Sequence, residues 1–157
     1  MAGPDDEVLE RLRAASGLSI DREGRFLHRG EPITHARTLE VLWRSLTRAP
    51  DGRYLVRIGR ESGYVALEDA PYAVRGLRDD GGVVELQLSD GTRDRLDPAT
   101  LTVDAHGVLH CVVKGGHRAC FTRAGQIALG LALEEDPPGS ERYALTLGGT
   151  RWPVRRE

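Results

Sequence analysis

Long apolar segments are absent from this sequence. The longest nearly unbroken apolar run spans residues 127–133 and contains a glycine, whereas a membrane-spanning helix needs about 20 apolar residues. Residues 1–16 carry acidic residues where a signal peptide needs basic ones, and no apolar segment follows them. We therefore expect no membrane partner and a cytoplasmic location.

A surplus of positive charge is also absent. The 22 Lys and Arg residues face 24 Asp and Glu residues, and the formal net charge is -2. This balance provides no field that holds a phosphate backbone, so we expect no nucleic-acid polymer as a partner. The hydrophobic fraction of 39% is typical of a globular chain. A length of 157 residues fits one domain or two small subdomains.

The sequence lacks the motifs of the common catalytic and cofactor sites. It contains no G-x-x-x-x-G-K-[ST], G-x-G-x-x-G, H-E-x-x-H or G-x-S-x-G segment. We therefore predict no catalytic residue and no cofactor. An enzyme assembled from scattered residues stays open as an alternative, with His28, Asp69 or an arginine as its candidate residues.

Metal-ligand patterns are scarce as well. Among the five histidines, His106 and His110 are four residues apart, a spacing that brings two side chains together on a helix but not on a strand. This region has a strand pattern, in which the two side chains need not converge with a third ligand. We predict no metal site.

Only two cysteines are present, Cys111 and Cys120. If Gly115 and Gly116 form a two-residue turn, the cysteines face each other across a hairpin at a spacing that permits a disulfide. The cytoplasm keeps such pairs reduced. We therefore expect two packed thiols, and a redox-sensing disulfide is the alternative.

The first half of the chain has the patterns of a mixed α+β fold. Gly24 supplies a tight turn between two short strand patterns, and Thr34 is a suitable N-cap for the amphipathic helix that follows. Turn residues at 50–52 end that helix. The predicted elements are strands at residues 18–21 and 25–28, a helix at 34–46, and a hairpin of strands at 54–58 and 64–67.

Asp-Gly and Gly-Gly turns mark the segment after residue 71. They predict an antiparallel meander of three strands, at residues 72–78, 83–89 and 92–96. Beyond Asp97-Pro98 the patterns predict strands at 101–104, 108–113 and 117–121, a helix at 122–134, and a closing hairpin of strands at 142–147 and 151–154.

Two parts of the sequence resemble each other. Three sets of positions align: residues 18–24 with 101–107, Thr34 with Thr122, and Tyr54 with Tyr143. The helix alignment places Ile127 over Leu39 and Leu131 over Trp43, on the stripe that the first helix buries. Such self-similarity favours a duplicated unit. The predicted domains are a helix at 1–17, a first repeat at 18–71, and a second subdomain at 72–157 that holds the meander (72–97) and the second repeat (100–155). In this alignment residues 68–72 have no counterpart.

Three segments resemble the bacterial domain of unknown function family 1285. They are GRFLHRGEPI at residues 24–33, RYLVRIGRESGYVALEDAPY at 53–72 and GGTRWPV at 148–154. The resemblance covers roughly residues 18–154. It implies a duplicated α+β core whose second half is similar to pleckstrin-homology-like folds. It also implies a signalling role and a nucleotide-like ligand between the two halves.

Basic residues are the main candidates for a binding site. The predicted ligand-binding residues are Arg57, Arg60, Lys114, Arg118, His28 and Asp69. The first two flank one predicted hairpin, and the next two lie at the predicted hairpin of the other unit. If the units are copies, these four cations lie near one cleft and suit a phosphate-bearing ligand. The alternative interpretation is that most of these cations are solvated surface residues.

Acidic residues mark the corner of residues 68–72. Glu68 and Asp69 are neighbours, and neighbouring side chains on a strand point to opposite faces, so they do not form a carboxylate pair. We expect one of them to accept backbone N–H groups or to bind an arginine, while Pro71 fixes the turn.

Three functions follow from these patterns. The first is a non-enzymatic binding protein with a small anionic, nucleotide-like ligand. The second is an enzyme of unidentified reaction. The third is a protein-interaction module, in which the strand near Trp152 is an open edge in a monomer and a paired edge in a homodimer.

Overall fold

The computed structural model describes residues 17–157, which form two compact units. Unit 1 ends at Asp69, and unit 2 comprises Ala70–Glu157. The helix predicted at the N-terminus falls on residues that lie outside the described range. Between residues 17 and 157, no helix has the length and apolar character that a membrane span requires.

Unit 1 is a mixed α+β unit. Its described elements are β1 (Leu18–Ile20), β2 (Phe26–His28), β3 (Glu31–Pro32), α1 (Ala36–Ser45), β4 (Leu46–Arg48), β5 (Tyr54–Ile58), β6 (Glu61–Tyr64) and β7 (Ala66–Leu67). One sheet has the strand order β3-β2-β1-β7, with β7 parallel to β1. The other has the order β4-β5-β6 and is antiparallel.

Apolar side chains from both sheets and from α1 form the core of unit 1. Ile20, Phe26 and Leu42 are almost completely buried, and each such side chain contributes about 1.5–3 kcal/mol by leaving water. The rings of Phe26 and Trp43 meet edge to face, with 4.5 Å between their centroids. Leu39 and Trp43 pack against this core, as their helical spacing predicts.

The N-terminus of α1 differs from the prediction. Its N-cap is His35, whose Nδ1 accepts a hydrogen bond from the backbone N–H of Thr38 at 3.3 Å. The hydroxyl of Thr38 lies 3.0 Å from the same nitrogen. The prediction of Thr34 as the cap is therefore wrong. An imidazole nitrogen fills the position because the neighbouring hydroxyl holds the ring in place.

Unit 2 contains a longer set of strands and one helix. Its elements are β8 (Tyr72–Asp80), β9 (Val83–Leu88), β10 (Arg93–Arg95), β11 (Thr102–Val103), β12 (Leu109–Val113), β13 (His117–Phe121), α2 (Arg123–Gly130), β14 (Leu133–Glu135), β15 (Tyr143–Leu147), β16 (Thr150–Pro153) and β17 (Arg155–Arg156), with a 3-10 turn at Pro98–Thr100. The sheets have the orders β10-β9-β8-β13-β12-β11-β17 and β14-β15-β16. The predicted antiparallel meander is confirmed as β8, β9 and β10.

Helix α2 is shorter than predicted. Its cap is Thr122, the residue at which the predicted helix begins, since Thr122 Oγ1 accepts the backbone N–H of Gly125 at 3.1 Å. The helix ends at Gly130, and the chain continues into β14, so the predicted helix to residue 134 is wrong. A Cβ added to Gly125 would lie 2.3 Å from the carbonyl oxygen of Val74. The helix therefore lies close against β8 because residue 125 has no side chain.

Part of unit 2 has the same internal order of strands as unit 1. The order β3-β2-β1-β7 in unit 1 matches β13-β12-β11-β17 in unit 2, and β4-β5-β6 matches β14-β15-β16. In both, the last strand of the first group is parallel to its neighbour. Within unit 2, the meander extends the seven-stranded sheet through β8, which pairs in parallel with β13.

One turn occurs in both units with the same hydrogen bonds. In unit 1, Asp21 Oδ1 accepts the backbone N–H groups of Glu23 and Arg25 at 3.0 and 2.9 Å. In unit 2, Asp104 Oδ1 accepts those of His106 and Val108 at 2.8 and 3.0 Å. Each aspartate also accepts, through its backbone carbonyl, the N–H of the glycine three residues later at 3.0 Å. The aligned aspartates and glycines of the two segments thus form the same turn.

The cysteine register differs from the prediction. Val113 pairs with His117, so three residues rather than two form the loop between β12 and β13, and Cys111 pairs with Ala119. Cys120 therefore points to the opposite face of the sheet from Cys111, because side chains alternate along a strand. Both thiols are buried, and neither forms a disulfide. The predicted face-to-face pairing is wrong.

Candidate functional site

The predicted cations of unit 1 are exposed. Arg57 lies on β5 and Arg60 lies in the turn between β5 and β6. Gly59 allows this turn because its φ of 62° is one that L side chains rarely adopt. Within residues 17–157, no ion pair involves either guanidinium group. Both are thus available to an anion.

Lys114 in unit 2 is held by several contacts within that unit. Its Nζ forms an ion pair with Asp90, whose side chain is only 5% exposed, and lies 5.0 Å from the ring centroid of Tyr72. Its backbone N–H donates to Asp94 Oδ2 at 2.6 Å. Its backbone has a φ of 52°, which is rare for a residue with a side chain. Lys114 therefore ties the hairpin between β12 and β13 to the meander.

The electrostatics of Asp90 agree with this role. Burial alone would raise the pKa of the Asp90 carboxyl group, but hydrogen bonds from Lys114 and Thr92 outweigh it and hold that pKa below its usual value. The Thr92 hydroxyl donates to Asp90 Oδ1 at 2.6 Å, and the Thr92 backbone N–H donates to the same oxygen at 3.0 Å. The carboxylate is therefore charged near neutral pH, and the ammonium group of Lys114 balances it.

Arg118 is also bound within unit 2. Its guanidinium group makes two hydrogen bonds to the carboxylate of Glu157, one of them at 2.8 Å between Nη2 and Oε2. The hydroxyl of Thr102 donates to Glu157 Oε1 at 3.0 Å. The Arg118 hydrogen bonds are the largest cause that lowers the pKa of Glu157 to about 2. An anionic ligand would have to displace this carboxylate.

His28 and Asp69 occupy different surroundings in unit 1. His28 is half-buried at the end of β2, and its Nε2 is buried with no hydrogen-bond partner among residues 17–157. Asp69 is half-buried at the end of the unit. Its neighbour Glu68 accepts the backbone N–H of Arg22 at 3.0 Å, and their side chains form an exposed ion pair at 3.8 Å. Glu68 is therefore the structural acid that the sequence predicts at this corner.

Each unit contains a cavity that is lined by its own residues. The cavity of unit 1 has a volume of about 550 Å³, and Tyr54 and Tyr64 line it. The cavity of unit 2 has a volume of about 440 Å³, and its lining includes Asp104, Tyr143 and Arg156. Neither of these two cavities is lined by any of the four predicted cations. The predicted anion site therefore does not coincide with either of these two cavities.

Two charged groups that line the unit 2 cavity have partners within the protein. Burial alone would raise the pKa of Asp104, but backbone N–H groups of Val108 and His106 outweigh it and lower that pKa. Arg156 Nη2 donates to the carbonyl oxygen of Glu141 at 2.8 Å. These contacts stabilise loops, and they occupy two of the polar groups that could otherwise orient a small molecule.

The outward face of α2 is a feature that the sequence interpretation missed. Ala124 and Ile127 are exposed, with Ile127 at 61%, and Leu131, which follows the last turn, is 88% exposed. We name these three residues the α2 patch. The helix alignment had placed Ile127 and Leu131 over Leu39 and Trp43, which pack against a core. That placement is wrong, because α2 buries Gly125 and Leu129 instead.

The alignment of helix caps identifies the equivalent residues of the two helices. Each cap accepts the backbone N–H of the residue three positions later, Thr38 in α1 and Gly125 in α2. With the caps His35 and Thr122 aligned, Ala124, Ile127 and Leu131 correspond to Arg37, Glu40 and Arg44. The equivalent face of α1 is therefore charged, and Arg37 Nη1 forms an ion pair with Glu40 Oε1 at 3.2 Å.

Comparisons with known proteins give a likeness of fold. No family model matches this chain, and no curated protein matches it. A solved structure of a DUF1285 family protein from Silicibacter pomeroyi DSS-3 aligns with a TM-score of 0.69 at 18% identity, over 94% of each chain. A DUF1285 family protein from Shewanella baltica OS155 aligns with a TM-score of 0.55 at 19% identity, over 68% of this chain and 84% of that chain. Both support the family resemblance of the sequence.

Proposed function

We propose that this chain, which has the fold of the DUF1285 family proteins, is a non-enzymatic protein-interaction module. Its interaction site is the α2 patch, and its ligand is another folded polypeptide. This function explains why unit 2 exposes apolar side chains on α2. A signalling role, which the family resemblance implies, agrees with a module that binds without catalysis.

One observation carries the proposal. Helices α1 and α2 have the same cap geometry, and the outward positions that are charged in α1 are apolar in α2. A surface helix normally places charged or polar residues on the face that points to water. Unit 1 follows this rule, so the same fold tolerates charges there. The apolar residues of α2 are therefore not required by the architecture.

A single exposed apolar side chain needs no explanation, because much of any protein surface is apolar. The α2 patch differs because its residues lie at helical spacing on one face. Exposed apolar residues that form a contiguous surface mark sites of protein association. The patch includes the small residue Ala124 and lies beside Gly130, and small residues permit close approach of a partner.

We propose further that the two units are copies of one ancestral unit. The support is the common strand order, the common parallel pairing of the last strand, and the common Asp turn. The hairpins β5-β6 and β15-β16 also have the same register over four pairs, from Ile58 with Glu61 to Leu55 with Tyr64 and from Leu147 with Thr150 to Ala144 with Pro153. The likeness of the second half to pleckstrin-homology-like folds stays a prediction.

The interaction proposal is tested by photo-crosslinking in living cells. A photoreactive amino acid is placed at position 127 of the full chain, and a matched control carries it at position 40, the equivalent position of α1. We expect a covalent adduct with a polypeptide at position 127 and little at position 40. No adduct at position 127, or equal adducts at both positions, would contradict the proposal.

A second candidate is a small anionic ligand, and the exposed pair Arg57 and Arg60 favours it. Two guanidinium groups beside a glycine turn suit a phosphate group. Nucleotides and other phosphorylated metabolites are screened by thermal shift, since binding to the native state raises the melting temperature. A shift that is lost in an Arg57→Ala, Arg60→Ala variant supports this candidate. Arg93→Ala, which removes an exposed arginine paired with Glu85, is the control.

A further inference from the structure

We infer that the polypeptide that covers the α2 patch is a second copy of this chain, packed antiparallel about a two-fold axis near Ile127. This inference rests on the proposed function, and it names the partner for the same surface. It is argued from the shape of the patch, from the charges at its two ends, and from its size.

The shape of the patch is complementary to itself. Along α2, Ala124 comes first, Ile127 is central and Leu131 comes last. A two-fold axis at the centre reverses this order in the second copy. The large side chain of Leu131 in one copy then meets the small Ala124 of the other, and the two Ile127 side chains meet near the axis. Knobs that meet small residues in this way are the basis of close helix packing.

Glycine at the end of the helix supports close contact. Gly130 is exposed, and a Cβ added to it would meet nothing within 4 Å. Its counterpart in α1, with the caps aligned, is Trp43, which packs against the core of unit 1. Because Gly130 has no side chain, the surface of α2 is recessed beside Leu131. A side chain of the partner fits into this recess.

The charges at the two ends of the patch are opposite. Arg123 is exposed at the N-terminal end, and Glu134 follows the C-terminal end, where its carboxylate lies 3.5 Å from Arg151 Nη1 and its side chain stays 70% exposed. Antiparallel packing places the arginine of one copy at the same end as the glutamate of the other. It also opposes the two helix dipoles. Parallel packing would bring like charges together at both ends.

Long-range repulsion between two copies is small. The net charge of the chain is -2, so two copies repel weakly, and salt screens this repulsion at distances beyond about 8–10 Å. The edge strand β14 has only three residues, and its Glu134 and Glu135 side chains already bind Arg151 and the backbone N–H of Glu141; short edge strands with charged side chains disfavour strand pairing between copies. The helix face is therefore a better site of self-association than the neighbouring strand.

The size of the patch sets the strength of the dimer. α2 has eight residues, so its length is about 12 Å, and its face is smaller than the roughly 800 Å² per partner that a stable interface buries. We therefore expect a reversible dimer with a dissociation constant in the micromolar range or weaker. Its fraction rises with protein concentration.

Sedimentation velocity of the purified full chain over a wide concentration range tests the inference. We expect the weight-average sedimentation coefficient to rise with protein concentration from the monomer value towards the dimer value. Ile127→Glu places carboxylates at the axis and gives unit 2 the residue that α1 carries at the equivalent position, so the fold tolerates it. We expect roughly 100-fold weaker association, because two apolar contacts are lost. Thr150→Glu adds the same charge at an exposed site away from α2 and should associate like the unmodified chain.

Engineered cysteines test the antiparallel arrangement. The native thiols are buried, so they do not interfere under native conditions. A mixture of Ala124→Cys and Leu131→Cys chains should form the mixed disulfide faster than either chain alone forms its own. Preferential disulfides within each single type would contradict the antiparallel packing.

The outcomes separate this inference from the proposed function. A chain that stays monomeric at all concentrations, or a dimer that Ile127→Glu leaves intact, overturns the inference. If position 127 nevertheless crosslinks in cells to a different polypeptide, the interaction module survives with another partner. If position 127 crosslinks to nothing in cells, both fail.

Discussion

Glu68 of unit 1 and Glu157 of unit 2 occupy equivalent positions. The backbone N–H of Glu68 donates to the carbonyl oxygen of Ile20 at 3.0 Å, and that of Glu157 donates to Val103 at 3.0 Å. Both follow a short parallel strand, which pairs with β1 in unit 1 and with β11 in unit 2. The corner of residues 68–72 therefore has a counterpart at its first residue, contrary to the sequence alignment. The side chains have separate partners, the Arg22 backbone and Arg118.

The first prediction concerns acid stability. Arg118 lowers the pKa of Glu157 from 4.5 to about 2, so the folded state binds this proton less readily than the unfolded state. The stabilisation is present above pH 4.5 and is lost as pH falls towards 2. We expect Glu157→Gln to lower the free energy of unfolding by about 1–2 kcal/mol at pH 6 and to have no effect near pH 2.

Urea unfolding at a series of pH values measures this effect. Glu85→Gln, which removes an exposed partner of Arg93, serves as the control, and its effect should stay below about 1 kcal/mol. A Glu157→Gln difference that does not shrink on acidification would show that the ion pair is not its source.

The second prediction concerns the buried carboxylate of Asp90. Lys114→Met leaves that carboxylate without its ammonium partner, in a position where its side chain is 5% exposed. We expect a loss of about 1–3 kcal/mol in unfolding free energy. Adding Asp90→Asn should recover part of this loss, because a neutral amide needs no counter-charge and still accepts from Thr92. Chemical denaturation of the two single variants and the double variant gives the coupling energy; additive effects would refute the proposed link.

The third prediction concerns the contact between α2 and β8. Gly125→Ala places a Cβ 2.3 Å from the Val74 carbonyl oxygen, so the helix must move away from the strand. We expect a loss of about 2 kcal/mol or more. Gly130→Ala is the matched control, because its added Cβ meets nothing within 4 Å and alanine favours the helix by up to about 1 kcal/mol. Thermal melts compare the two variants, and equal melting temperatures would contradict the packing argument.

The fourth prediction concerns the thiols. Burial, together with the nearby Asp94 carboxylate, raises the pKa of Cys111 to about 12, and Cys120 lies on the opposite face of the sheet. We expect diamide to leave the mass of the native chain unchanged and thiol reagents to label both residues only on unfolding. A Thr150→Cys variant, with an exposed thiol, should react at once. A loss of two hydrogens from the native chain would restore the redox hypothesis.

Features that depend on a few neighbouring residues were predictable. The turns at Asp21 and Asp104 form hydrogen bonds within four residues, and the Asp-Gly turn of the meander is equally local. The loop that follows Val113 was not predictable in this way. Lys114 adopts a φ of 52° and binds Asp94 and Asp90, which lie about 20 residues earlier in the chain. That distant contact goes with a three-residue loop, and the loop shifts the cysteine register by one position.

The candidate site shows the same division. Sequence identified basic residues near two hairpins, but it gave no sign that Lys114 and Arg118 are bound to carboxylates that are 24 and 39 residues away. It also placed Ile127 and Leu131 on the wrong face, because helical periodicity defines a stripe without stating which neighbour covers it. The absence of a side chain at Gly125 decides that question, since only this face approaches β8 closely.

The sequence by itself determined the mixed α+β class, the meander, the Asp turns and most strands, because alternation, turn residues and helix caps act over a few residues. Tertiary structure decided which of the matching strands ends a sheet and which pairs with a further strand. Glu31 and Pro32 end one sheet of unit 1 at β3, where proline has no N–H to donate, whereas the matching strand β13 accepts β8. Contacts of this kind join residues far apart in the chain, so local patterns do not contain them.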